Sequence, residues 1–312
     1  MHIYGLDFTS RPKASKPITC AVCEIENGRL FFHRFQDITD FEGFESFCDL
    51  RGTWVAGMDF PFGMPRKLID DLHYPHVWEQ YVAKFDAMSR EDFVNLQTCY
   101  KSKQPKGSKE HRRITDFEAG SLSPMKLYGV PVGKMFFEGA RRLARSGASI
   151  LPVRKRKSDR IVLEAYPGLV ARTAIGRRSY KTDDKRKQCA KHSDARRDIV
   201  AWLTGADCAR IYGMTIGFGD DLAKVVICDR SGDKLDAILC AVQAGWAFSK
   251  RKEGYGIPVG VDLSEGWIVD PQLKMPENAG AETLRPGGMS HLESVMSRKS
   301  GLSSRRNVIL HS

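Results

Sequence analysis

Two near-identical tetrapeptides, Gly5-Leu6-Asp7-Phe8 and Gly57-Met58-Asp59-Phe60, each place a carboxylate where a short apolar run ends. The runs Ile3 to Leu6 and Trp54 to Met58 read as buried strands, so Asp7 and Asp59 stand at strand C-terminal ends. Strand side chains alternate, so each glycine shares a face with the acid two residues on and leaves room beside it for a ligand or metal. A third acid, Glu164, ends the apolar run of Ile161-Val162-Leu163-Glu164-Ala165-Tyr166-Pro167. Asp233 and Asp236 stand three apart at the head of an Ala-rich apolar segment reaching Phe248, on neighbouring turns of one helix face. A lone buried acid is costly, and several together invite a shared cation. Two divalent ions about 3.5–4 Å apart use bridging and terminal oxygen ligands of this kind, and all-oxygen ligation suits magnesium or manganese better than zinc. Blander roles exist for each acid. Asp233 and Asp236 suit a helix N-terminus, Glu164 an arginine salt bridge, and Asp59 the turn at Pro61. Their convergence favours the metal: Asp7, Asp59, Asp233 and Asp236 are the expected ligands and, with Glu164, the expected catalytic residues.

The elements that must position these acids are legible in outline. Residues 2–8, 17–26 and 29–36 read as strands, the last two joined by Asn27-Gly28, a strong hairpin signal. Phe41, Phe44, Phe47 and Cys48 follow at helical spacing after Thr39-Asp40, and the Asp59 strand comes next. The order therefore opens β-β-β-α-β. Pro61-Phe62-Gly63-Met64-Pro65 breaks the chain, and residues 66–97 are helical in pattern, with Trp78, Tyr81, Val82 and Phe85 on one face. A polar, basic stretch over 98–132 reads as a long loop or lid, and helix resumes over 133–146. After the Glu164 strand comes a polar, mainly helical excursion to about residue 212, then the helix that starts near Asp233. Residues 1–271 thus form one α/β domain with a helical and basic insertion over about 66–150. Residues 272–312 form a polar tail of weak order, with one short helix near Met289 to Met296.

At 312 residues and 42% hydrophobic content the chain can bury a large core. No apolar run approaches the ~20 residues of a membrane span, and the N-terminus has no signal or transit pattern, so a cytoplasmic protein without a membrane partner is expected. Cys20 and Cys23 have the spacing of half a zinc site. They lie inside the strand Ile18 to Ile25, where positions three apart face opposite sides, and read with the other cysteines as reduced core thiols. The net charge of +11 is concentrated in 101–113, 141–157 and 177–197. Such clusters suit a polyanion, or else are solvated loops. Lys101, Lys103, Arg112 and Arg113 are the expected contacts to nucleic-acid phosphates, with Tyr100 and Tyr128 available either to stack bases or to pack.

The chain resembles a family of predicted nucleases called domain of unknown function 429. The resemblance covers residues 1 to 272 and rests on four motifs in order: Gly5-Leu6-Asp7; Gly57-Met58-Asp59-Phe60-Pro61-Phe62-Gly63-Met64-Pro65; Glu164-Ala165-Tyr166-Pro167; and Gly232-Asp233-Lys234-Leu235-Asp236-Ala237. The ending Glu265-Gly266-Trp267-Ile268 also fits. It implies a ribonuclease H-like fold, a mixed five-stranded sheet flanked by helices. Asp7 matches the first-strand acid that bridges both metals in that fold, Asp59 the fourth-strand acid, and Asp233 and Asp236 the helical acids of junction resolvases. Glu164 matches the family's Glu-x-x-Pro element. The implied activity is phosphodiester hydrolysis with two magnesium or manganese ions and no covalent intermediate.

Two rivals come from other classes. An actin-like phosphotransferase shares the strand order, and Asp7-Phe8-Thr9-Ser10 faintly resembles its first phosphate loop, but Phe8 stands where glycine is wanted and Gly217-Phe218-Gly219-Asp220 is a poor adenosine motif. A non-catalytic nucleic-acid-binding module on the same scaffold gains nothing from four clustered carboxylates without a metal.

Overall fold

A computed structural model of the chain describes residues 1–182 and 185–276; the tail beyond 276, with its expected helix at 289–296, lies outside the described residues. Among the described residues seven strands form one mixed sheet: β1 (His2–Asp7), β2 (Ile18–Glu26), β3 (Arg29–Ile38), β4 (Trp54–Met58), β5 (Ser149–Leu151), β6 (Arg160–Glu164) and β7 (Thr215–Gly217). Their order is β5-β6-β4-β1-β2-β3-β7, with β1 antiparallel to β2 and parallel to β4, and β6 parallel to β4. The expected five strands are thus two short. The additions, β5 and β7, are edge strands of three residues each, too brief to show an alternation. Asn27 and Gly28 both take positive φ, 49° and 73°, as a tight hairpin following the sheet twist requires.

Helices cover both faces. On one lie α1 (Phe41–Cys48), α2 (Arg66–Asp71), α3 (Trp78–Asp86), α4 (Arg90–Ser102) and α6 (Val132–Arg145), packed on Leu6, Cys20, Ala56, Met58 and Val162. On the other lie α7 (Pro167–Ile175), α8 (Ala190–Leu203), α9 (Ala206–Tyr212), α10 (Asp220–Cys228) and α11 (Asp233–Ser249), packed on Ile3, Ala21, Cys23, Val55 and Leu163. Asp40 caps α1, its carboxylate accepting from the Gly43 N–H at 2.7 Å. The stretch expected as a long loop is partly helical: α4 runs to Ser102, and α5 (Ile114–Ala119) lies within it. Cys20 and Cys23 face opposite cores as expected, and burial pushes the Cys20 thiol up to about 12. One compact unit runs Met1–Met275.

Helix α11 is the central helix of its layer, and it lies chiefly against β1, β2 and β4. It is buried along almost its whole length, which is why its sequence is apolar on every side.

Candidate active site

Strand register sets the first two acids side by side. Gly5 pairs with Gly57 and Leu6 with Met58, and the Asp59 N–H donates to the Leu6 carbonyl at 3.0 Å. Asp7 and Asp59 therefore close adjacent parallel strands. Their glycines do not leave space for a ligand, contrary to the sequence reading. A Cβ on Gly5 would stand 2.0 Å from the Ala237 carbonyl oxygen, and one on Gly57 would stand 2.5 Å from that of Cys240. The room is taken by α11, which settles onto the two strands because both positions lack a side chain. That close seat carries Asp236, only 1% exposed, down to the strand ends.

Asp233, the first residue of α11, does not cap it. The N-cap is Gly232, at φ 79°, and the Asp229 carboxylate takes the Lys234 and Ser231 N–H groups at 2.9 and 3.2 Å. Asp233 is left to face the other acids. A Cβ on Gly232 would also lie 2.9 Å from the Lys181 side-chain stem, which crosses there on its way to Asp236. The Lys181 ammonium donates to Asp236 Oδ2, and the Tyr180 hydroxyl donates to Oδ1 at 2.5 Å. Arg196, on α8, fixes this segment from behind, donating to the Tyr180 carbonyl at 2.7 Å and the Ile227 carbonyl at 2.8 Å.

The electrostatics describe one cluster. Burial raises Asp7 well above the carboxylate range; Lys181 opposes this, while Asp236, Asp233 and Asp59 add to it. Asp59 is pushed up to about 7 by burial, then by Asp236, against Lys181. Burial likewise raises Asp233. Burial disfavours the Lys181 ammonium, but Asp236 and Asp7 outweigh it and hold the proton firmly. Lys181 is thus the cation these acids face. Sequence reading found the four acids but counted Lys181 only within a basic stretch; its loop has no periodicity to mark it. The all-carboxylate donor set suits a hard divalent ion. As the side chains stand, no three His, Cys, Asp or Glu residues converge closely enough to hold one among the described residues.

Beside the cluster a cavity of about 270 Å³ opens at the C-terminal ends of β4 and β6. Asp59, Asp236, Tyr180 and Lys181 border one part of it, and Glu164 and Arg113 another. The chain matches no protein-family model, no curated protein and no solved structure.

Glu164 helps to raise Asp59 but is bonded elsewhere. It pairs with Met58 rather than Asp59, so strand alternation turns it to the opposite face. There Arg113 grips it bidentately, Nη2 to Oε1 at 2.5 Å and Nη1 to Oε2 at 2.8 Å, and the Phe62 N–H adds 2.9 Å. The salt-bridge role is the one the structure gives it. Arg113 also donates to Asp116 through Nε and Nη2 at 3.0 and 2.8 Å, and to the Glu265 carbonyl at 2.8 Å. All five guanidinium N–H groups are occupied and the side chain is 1% exposed, so Arg113 has no donor for a phosphate. The Glu265-Gly266-Trp267-Ile268 segment completes this lock, with Ile268 bridged to Glu164.

The other expected phosphate contacts divide. Lys101 is tied to Glu110 at 2.8 Å and to the Met125 carbonyl. Lys103 and Arg112 are exposed, the latter over the Phe117 ring at 5.6 Å. Tyr100 packs, its hydroxyl donating to Asp71 at 2.6 Å, whereas Tyr128 is exposed with Lys134 over its ring at 5.0 Å. Some of the remaining basic charge is spent within the chain. Arg154, 5% exposed, donates to the carbonyls of Leu143, Ala144, Ser146 and Ala148, while Arg142 pairs with Glu138 and Arg145 with Asp86.

Proposed function

We propose that this protein is a divalent-metal-dependent nuclease on a ribonuclease H-like scaffold, as the resemblance to domain of unknown function 429 implies. The observation that carries the reading is that Asp7 and Asp59 close adjacent parallel strands beneath the head of α11, which bears Asp233 and Asp236, with the Lys181 ammonium bonded to Asp236. The sheet supports the scaffold: β1 lies between the antiparallel β2–β3 hairpin on one side and parallel β4 and β6 on the other. In this reading Asp7, Asp59, Asp233 and Asp236 would hold the ion, with Lys181 giving up its bond to Asp236. Magnesium or manganese would supply Lewis acidity and a hydroxide nucleophile at neutral pH. The chain's own part is to hold the ion, exclude bulk water at the buried Asp236, and offer Lys181 and Tyr180 to phosphate oxygens.

The rival, a non-catalytic nucleic-acid-binding module, draws on one observation: Lys181 already balances the acids. Cleavage separates the two. Labelled single-stranded, duplex, hybrid and branched substrates are incubated with magnesium or manganese, then with EDTA, beside Asp7→Asn and Asp236→Asn. The expected result is metal-dependent cleavage reduced at least about a hundredfold in both variants. Nucleic-acid binding that persists in both variants, with no cleavage in any metal, sinks the nuclease and leaves the binding module.

A further inference from the structure

The cavity beside the acids has a second half that hydrolysis itself does not use. Its ionic wall is closed to a ligand's charge, because Arg113, Asp116 and Glu164 satisfy one another and the Ser121 hydroxyl donates to Asp116 at 2.8 Å. What the cavity offers instead is apolar surface from Phe60, Leu122, Val130, Val132 and Met135. Two of these, Leu122 and Val130, are 37% and 49% exposed, so the apolar lining continues outward to solvent. The same two segments carry Phe117 and Tyr128, 65% and 69% exposed, each with a cation over its ring, Arg112 and Lys134. Exposed aromatic faces beside cations are what binding of unpaired nucleic acid uses.

The dimensions restrict the occupant. About 270 Å³ lies just below the usual range for a ligand pocket and admits one flat heterocycle. A base pair, with its partner strand attached, does not fit. The acids border the cavity, so a base seated inside brings its own phosphodiester to Asp59 and Asp236.

We propose that this cavity receives one unstacked nucleobase, and that the substrate is therefore single-stranded or locally unpaired nucleic acid. The inference rests on the nuclease reading for the role of the neighbouring acids, but not for the pocket itself. A duplex must extrude a base to enter, which costs it roughly tenfold or more in affinity. Phe117 and Tyr128 then stack the flanking bases.

The test reads binding rather than cleavage. The full chain, in EDTA, is titrated into three oligonucleotides carrying the fluorescent base 2-aminopurine: a single strand, its perfect duplex, and a duplex with that base unpaired. Anisotropy gives affinity, and 2-aminopurine emission reports its seating. The expected result is at least about tenfold tighter binding of the single strand and unpaired duplex than of the perfect duplex. An emission change is expected with the wild type and not with Val130→Trp, whose indole fills the cavity from an exposed position. Equal affinity for the perfect duplex overturns the proposal, as does an emission change that Val130→Trp leaves intact. The wild-type comparison decides even if that variant folds poorly, and Leu122→Trp repeats the block from the other wall. Base seating without cleavage in any metal would leave the pocket standing and remove the nuclease. Cleavage of perfect duplex as fast as single strand would do the reverse.

Discussion

Carboxylates gathered at one point of a fold repel one another, and within this chain Lys181 offsets them by bonding Asp236 and acting on Asp7. Two kinds of residue of very different legibility therefore make the site. The acids announce themselves through spacing and strand ends, whereas Lys181 reaches Asp236 across 55 positions of sequence from a segment with no pattern. If Lys181 is the resident cation, Lys181→Met leaves Asp236 uncompensated. The side chain is 38% exposed, so the loss is discounted for solvent to on the order of 1–2 kcal/mol. Thermal unfolding in EDTA should show the variant melting below wild type, and added manganese should stabilise the variant more than wild type. Identical melting in EDTA would remove Lys181 from this role.

At the scale of elements, the glycines before Asp7 and Asp59 are a contact surface for α11. The added Cβ of Gly5→Ala meets backbone, which cannot swing aside, so the cost should reach about 3 kcal/mol, the upper end for overpacking. Urea denaturation measures it; a shift within about 0.5 kcal/mol, as at an ordinary surface site, would mean that α11 is not held this closely. This also explains what could be read in advance. β1, β4, β6 and α11 showed themselves because a buried strand is a short apolar run and a buried helix a long one. β5 and β7 have too few residues for a period, and α10 falls between residue 212 and the helix at Asp233, where the sequence reading assigns no element. The glycine pattern was visible, but a helix and a ligand ask the same thing of a glycine, and only the tertiary fold tells them apart. Glu164's separation from the other acids follows from strand parity, yet parity needs a register set by residues a hundred positions away.

Across the whole molecule, not all the charge seen in composition is offered to a partner. Arg113, Arg154 and Arg196 are interior struts that tie loops to the sheet and helices, while Lys103 and Arg112 remain on the surface. The interior also holds acids that resist ionisation, which gives the fold a pH signature. Burial pushes Glu265, ordinarily near 4.5, up to about 7, and Asp59 rises to a similar value. A folded-state pKa above the unfolded one favours the folded protein at low pH, so this stability is present below about pH 4 and is lost as pH rises through 7. Replacing Glu265 by Gln removes its share, on the order of 3 kcal/mol, and urea melts in EDTA from pH 5 to 8 should fall less steeply than for wild type. Parallel slopes would place Glu265's titration elsewhere.

The seat of α11 on Gly5 and Gly57 also fixes when the site comes into being. Asp7 and Asp59 are synthesised long before Asp236, and the helix that carries Asp236 lies along β1. A nascent chain that has left the ribosome only through β6 owns two of the four acids, with their glycines uncovered and no lysine across from them. Closing so long a loop is the slow part of building such a topology. The acidic centre therefore forms only once α11 has been made and docks on β1, and no fragment that stops before α11 carries it.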